Sequence, residues 1–196
     1  MAGSGRVVAG SAGGIQLAAA GPGTRPLAGR VKQAIFGSLE PLLPGSAVLD
    51  LCAGSGAAAI EALSRGAARA VLVERDAAAV AVIRENLRRT GLAAVATVMR
   101  RDVLAALRDP PIRDDRFDLA IVDAPYAETA LRDAILALLG GPDGPLREGA
   151  TVVVTAYWRD APRDEAGLLR SVRVRRFGET SITLYHRDGG GVVVAD

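Results

Sequence analysis

Val48-Leu49-Asp50-Leu51-Cys52-Ala53-Gly54-Ser55-Gly56 runs an apolar strand pattern straight into a glycine loop, and a helical pattern begins at Ala57. Gly54 and Gly56 let the backbone turn tightly and approach a ligand with no Cβ in the way. Glu74 closes the next strand-like run, Ala70-Val71-Leu72-Val73. Together these make the layout of a nucleotide-type cofactor site on a parallel sheet, where ligands bind at the carboxyl ends of the strands. A tight strand-to-helix turn with no ligand would use the same glycines.

Outward from this stretch, strands and helices alternate. Strands are expected at 47–52, 70–74, 94–100, 117–122 and 150–155. Helices are expected at 57–65, 77–90, 103–108 and 129–139. Asp76 is placed to cap the 77–90 helix and Gly91 to stop it. Pro110-Pro111 begins a loop. The C-terminal part changes rhythm: 170–177 and 181–187 alternate polar and apolar residues about Gly178-Glu179-Thr180, the pattern of an antiparallel hairpin. Ahead of the glycine loop, Val7-Val8 and Ile15-Gln16-Leu17 suggest two short strands of a hairpin. Pro26 can open a helix over 27–40 with Val31, Ile35, Phe36 and Leu39 on one face. The expected fold is α/β and Rossmann-like: a seven-stranded, mostly parallel sheet ending in an antiparallel hairpin. Residues 1–45 form a short hairpin-and-helix extension and 46–196 the cofactor-binding domain.

Composition bounds the function. The chain has 196 residues, 49% of them apolar, enough for one domain with a sizeable core. One cysteine and one histidine argue against a disulfide framework and a histidine metal site, so no metal is expected. No apolar run has the length of a membrane helix and no secretory pattern opens the chain, so a cytoplasmic protein without a membrane partner is expected. A monomer is expected. The net charge of +2 is uneven: Arg6, Arg25, Arg30 and Lys32 precede Asp50 against Glu40 alone. That basic segment suggests contact with a polyanion such as RNA, or a merely solvated tail and helix face.

The glycine loop by itself leaves the cofactor open. Gly54-Ser55-Gly56-Ala57-Ala58-Ala59 fits the G-x-G-x-x-A form used for dinucleotides, and Glu74 could hold an NAD ribose. Asp50 argues otherwise. A carboxylate just before the glycines repels a pyrophosphate and suits the ammonium of a methionine moiety. Glu74 can take two ribose hydroxyls, and Asp102 either an adenine amino group or the cap of the helix starting at Val103.

Asp123-Ala124-Pro125-Tyr126 follows the apolar run Leu119-Ala120-Ile121-Val122 and so sits at a carboxyl strand end beside the loop. The lone pair of a base amine is delocalised into its ring. The Asp123 side chain and the Ala124 carbonyl can accept its two N–H bonds and favour positive charge on the nitrogen. Pro125 stiffens the turn, and Tyr126 offers a face for stacking a base. This points to S-adenosylmethionine as methyl donor. An Asp-x-Pro turn with a packing tyrosine would share the sequence. Cys52 reads as a packing side chain and His186 as structural. Tyr157-Trp158 reads either as pocket lining or as cover for the sheet edge. Arg173, Arg175 and Arg176 face solvent or help hold RNA.

These pieces resemble the bacterial methyltransferases that modify the N2 amine of a guanine in 16S ribosomal RNA. The matching residues are 49–56, Glu61-Ala62-Leu63-Ser64-Arg65-Gly66-Ala67, Val73-Glu74, Thr24-Arg25-Pro26, Arg30-Val31, Ala34-Ile35-Phe36, the 123–126 tetrad and Gly178-Glu179-Thr180. The resemblance implies a class I methyltransferase fold. It also implies S-adenosyl-L-methionine as cofactor with S-adenosyl-L-homocysteine as product, and 16S ribosomal RNA or the small ribosomal subunit as partner. Asp50, Cys52, Ala53, Gly54, Ser55, Gly56, Glu74, Arg75, Asp102, Val103 and Asp123 would hold the cofactor. Asp123, Ala124, Pro125 and Tyr126 would receive the guanine, and Arg6, Arg25, Arg30 and Lys32 the RNA. The chain departs from the family at Ala124, usually a second proline, at Leu27 and Gly29, usually Thr and Asp, and in the uncharged Gly13-Gly14-Ile15-Gln16. The alternatives are an NAD(P)-dependent oxidoreductase, a non-catalytic RNA-binding relative, and a methyltransferase of DNA or a small amine.

Overall fold

The computed structural model describes residues 5–21 and 29–189. Its centre is one eight-stranded sheet. The strands in chain order are β1 (Ala47–Leu51), β2 (Arg69–Glu74), β3 (Ala96–Arg100), β4 (Phe117–Val122), β5 (Leu146–Tyr157), β6 (Glu165–Ala166), β7 (Leu169–Phe177) and β8 (Thr180–Arg187). They lie in the order β3-β2-β1-β4-β5-β8-β7-β6. β1 to β5 are mutually parallel, and β5 to β8 pair antiparallel. The helices are α1 (Gly29–Leu39), α2 (Ala57–Ser64), α3 (Ala77–Thr90), α4 (Val103–Arg108), α5 (Pro110–Arg113) and α6 (Thr129–Leu139).

Period-2 alternation divides the core into two layers. Val48, Leu119, Ile121 and Val153 meet α1, α2 and α3 on one face. Leu49, Leu51, Ala120, Val122, Val152 and Val154 meet α4, α5 and α6 on the other. Strands buried on both faces read as near-continuous apolar runs, which is why β1 and β4, each interrupted by a single aspartate, were legible.

The sheet has eight strands where seven were expected. The extra one, β6, is a two-residue edge that pairs Glu165 with Arg170 and Ala166 with Leu169, too short to leave a pattern. Pro110-Pro111 starts α5 rather than a loop, because proline fits the first turn of a helix, where the missing N–H has no partner to lose. β5 begins at Leu146, four residues before the expected start. Its ladder with β4 shifts register between Phe117 and Leu119, and Gly149 takes a φ of 78° there.

The expected N-terminal hairpin is a tight loop closed by one antiparallel bridge, Arg6 to Gln16, with Val7 N donating to Ile15 O and Leu17 N to Gly5 O. Val7, Ala12 and Leu17 are buried in the same layer as α1 to α3. Glu61 and Ser64 of α2 and Asn86 of α3 hold the loop. Glu61 accepts from the backbone of Val8 and Ala9. Ser64 donates to Ala9 O and accepts from Ala12 N. Asn86 exchanges two hydrogen bonds with Ala18.

Candidate active site

Strand parity builds the site. Asp50 follows Leu49 and so faces the α2 layer, and Asp123 shares the parity of Leu119 and Ile121. β1 and β4 are adjacent, with Asp50 opposite Ile121. Val122 is opposite Val154, which sets Asp123 beside Thr155 of β5. All three polar side chains therefore gather at the carboxyl end of the sheet on one face.

Asp50 and Asp123 open into a cavity of about 840 Å³, within the ~300–1,000 Å³ range of small-molecule sites. Every sequence-nominated cofactor residue except Gly56 lines it: Asp50, Cys52, Ala53, Gly54, Ser55, Glu74, Arg75, Asp102, Val103 and Asp123. Ala124, Pro125 and Tyr126 line it too. The glycine loop and the 123–126 tetrad thus share one crevice. Ala20, Val31, Asp76, Arg101, Ala127, Glu128, Leu131, Glu179 and Thr180 also border it and were not nominated. The sequence signals for the last two were the hairpin turn and the resemblance carried by Gly178-Glu179-Thr180, and only the fold brings that turn to the site.

Gly54 and Gly56 play different parts. Both have positive φ, 55° and 76°. A Cβ on Gly54 would meet nothing within 4 Å, so that position is open. A Cβ on Gly56 would press on Leu72 and Ile83, so this glycine serves packing and the start of α2. Cys52 also has a left-handed backbone, φ 63°, which is uncommon outside glycine and gives the loop its turn. Burial, reinforced by nearby acids with Glu74 first, pushes the Cys52 thiol up to about 12, so it stays protonated and is no nucleophile.

The lining is strongly acidic. Asp50, Glu74, Asp76, Asp102, Asp123, Glu128 and Glu179 face Arg75 and Arg101. Arg75 pairs with Glu128 at 3.2 Å and Arg101 with Asp109 at 2.8 Å. Asp50 is 1% exposed and accepts from Ala59 N at 3.0 Å. Burial, with smaller contributions from Asp123 and Glu74, raises its carboxyl to about 7. Glu74 is tied at both oxygens, accepting from Gly54 N and Asp76 N at 2.9 Å each. Each oxygen keeps a second lone pair for a ligand. Asp102 caps α4, accepting from Leu104 N and Ala105 N at 3.0 Å, and borders the cavity as well. The cap reading of Asp102 is therefore observed, and its position also borders the cavity.

Asp123 is half-buried, and burial raises its carboxyl while a hydrogen bond from the Thr155 hydroxyl to Oδ1 pulls it back. Tyr126 is anchored across the crevice by a 2.8 Å hydrogen bond to Thr180 Oγ1 at the start of β8.

The nominated RNA residues fare differently. Arg6 is exposed. Arg25 and the Arg30 side chain lie outside what the structure describes. Lys32 is corrected: it is 2% exposed, turned inward on α1, and pairs with Glu61 at 3.3 Å while donating to Arg6 O at 2.6 Å. Its ammonium is committed to a buried carboxylate and is not available to RNA. Tyr157 and Trp158 do not line the cavity. Among the described residues no helix is long and apolar enough to cross a membrane.

Comparison with known proteins agrees with this fold. The family model described as conserved hypothetical protein 95 matches residues 5–186. The Bacillus subtilis protein YlbH is 36% identical over 94% of this chain and all of its own length. Ribosomal RNA small subunit methyltransferase D of Escherichia coli is 30% identical, covering 89% of this chain and 85% of its own. The solved structure of the Escherichia coli protein yhhF superposes with a TM-score of 0.80 at 30% identity, covering 94% of this chain and 98% of that one.

Proposed function

The chain belongs to the family described as conserved hypothetical protein 95, and from that premise we propose that it transfers a methyl group from S-adenosyl-L-methionine to the exocyclic N2 amine of a guanine in 16S ribosomal RNA. The carrying observation is the acidic crevice that brings Asp50, Glu74 and Asp123 together with an open glycine loop.

The residues fit that cofactor. A cavity with seven carboxylates and two already-paired arginines favours a ligand bearing ammonium and sulfonium charge. The same lining disfavours a pyrophosphate, which removes support from the dinucleotide reading of the glycine loop. Asp50 would hold the ammonium, Glu74 the ribose hydroxyls and Asp102 the adenine edge, with the Gly54 backbone against the ligand. When bound, the cofactor supplies an electrophilic methyl group on sulfur.

The chain's own residues prepare the acceptor. Thr155 occupies Asp123 Oδ1 and so fixes the carboxylate rotamer. The other oxygen, with the Ala124 carbonyl, accepts the two N–H bonds of the base amine and points its lone pair at the methyl group. As the N–C bond forms and the C–S bond breaks, the nitrogen gains positive charge and sheds one proton. Asp123 stabilises that charge and, raised by burial, is a competent acceptor for the proton. Tyr126, held by Thr180, stacks the base. Most of the rate enhancement then comes from in-line placement in a rigid crevice. The target base must leave its stack or lie in a loop to enter.

The test uses small-subunit particles from a strain lacking this protein, with label in the donor methyl group. Label on the N2 position of one guanine is expected, and none with Asp123→Ala. Label on a different nucleobase atom, or full transfer by Asp123→Ala, would overturn the assignment.

A further inference from the structure

Resting on that reading, we infer that Trp158, Arg159 and Arg176 form a cationic ledge at the rim of the crevice that seats the single-stranded RNA next to the target base. The Arg176 guanidinium lies 3.6 Å from the centroid of the Trp158 ring, a stacked arrangement, and that of Arg159 lies 4.9 Å away. Arg176 Nε also donates to Gly178 O at 2.9 Å, so its position is fixed before any ligand arrives. Trp158 N donates to Glu179 O at 3.0 Å. Glu179 and Thr180 border the crevice, and Thr180 holds Tyr126. A short hydrogen-bonded path therefore joins the ledge to the residue proposed to stack the guanine.

The charge pattern calls for such a ledge. The crevice is acidic and repels phosphate, so a flipped base can enter only if its flanking phosphates are held outside. β7 carries Arg170, Arg173, Arg175 and Arg176 and no acid. Arg170 pairs with Glu165 and Asp188. Arg159, Arg173, Arg175 and Arg176 are exposed and form no ion pair among the described residues. Guanidinium planes stack on unpaired bases and fork onto phosphates, which a lysine in the same place cannot do. The occupant is single-stranded RNA rather than a duplex, because a planar stacking surface serves an unstacked base. Holding the guanidiniums in place beforehand lowers the ordering cost of binding.

Trp158 is the single tryptophan of the chain, so its emission reports on the ledge alone. The experiment titrates the full chain, with S-adenosylhomocysteine present, with a labelled oligoribonucleotide spanning the methylated guanine. Trp158 emission and anisotropy are read together for wild type, Arg159→Glu and Arg176→Ala. RNA is expected to quench Trp158, and each variant to bind RNA at least about tenfold more weakly with a salt slope shallower by about 1. Affinity for S-adenosylhomocysteine stays within twofold in both variants and certifies that they fold; Arg159 is exposed, so its charge reversal leaves the core intact. Wild-type RNA affinity and salt slope in both variants would overturn the ledge while leaving the proposed reaction standing. A wild type that binds S-adenosylhomocysteine but no small-subunit RNA would overturn the RNA substrate, and the ledge with it.

Discussion

At the residue scale, Asp50 is a buried carboxylate that costs the free protein stability when it ionises. Its carboxyl sits near 7 in the fold against ~3.9 in an unfolded chain. Between those values the folded state binds more protons, so the stability of the free protein falls as pH rises from about 4 to about 7 and stays lower above that. Asp50→Asn removes the buried charge and keeps an oxygen for Ala59 N. We expect it to stabilise the free protein at pH 8 by up to about 4 kcal/mol, with the difference vanishing near pH 4, as read by denaturant unfolding at both pH values. The same variant should lose cofactor affinity. A variant no more stable than wild type at pH 8 would show that Asp50 is not the strained group described. Thr155 is also buried, 1% exposed. Thr155→Val removes the hydroxyl that lowers the Asp123 carboxyl. The acid limb of the pH–rate profile should then move to higher pH, and Thr155→Ser should return it. An unmoved limb would mean that Asp123 ionisation does not control the rate.

At the element scale, the N-terminal loop, α1 and α2 meet at Glu61, a fully buried carboxylate. It takes the ammonium of Lys32, the guanidinium of Arg65 at 2.8 Å and two backbone N–H groups. Removing one partner of a buried ion network leaves the others uncompensated, at a cost of about 3–5 kcal/mol. Glu61→Ala should therefore lower unfolding free energy by that amount and expose the amides of Val8 and Ala9 to hydrogen exchange. A loss below about 1 kcal/mol would mean the network is idle. The elements that were legible in the sequence are those whose pattern is local. β1 and β4 are apolar runs interrupted by one aspartate each; α3 carries its own cap at Asp76 and stop at Gly91. The illegible ones depend on distant partners. β6 exists only because β7 pairs with it. The first residues of β5 pair across a register shift. Lys32 was read as a surface cation because nothing near it in sequence announces Glu61. The Trp158–Arg176 stack joins the turn after β5 to β7 and left no local trace. In the site, parity and motif spacing were enough to bring residues 50–56 and 123–126 together. Thr155, Glu179 and Thr180 arrive from β5 and the hairpin turn, which no spacing rule connects to the glycine loop.

At the scale of the whole molecule, charge is sorted by depth: carboxylates line the crevice, and Arg173, Arg175 and Arg176, which form no ion pair among the described residues, are exposed on β7. That sorting suits a cationic cofactor inside and a polyanion outside, and the two should respond differently to salt. RNA affinity should fall steeply with added salt through counterion release. Cofactor affinity should change far less, because Asp50, the proposed partner of its ammonium, is buried from screening ions. The most direct test of the acidic crevice is calorimetric titration of the free chain with S-adenosylhomocysteine and with NAD between pH 6 and 8. S-adenosylhomocysteine keeps the ammonium, so it should bind at pH 8 and weaken toward tenfold per unit as pH drops below the Asp50 value of about 7, while NAD gives no heat. Binding of NAD without S-adenosylhomocysteine, or S-adenosylhomocysteine affinity that does not change across that range, would contradict it.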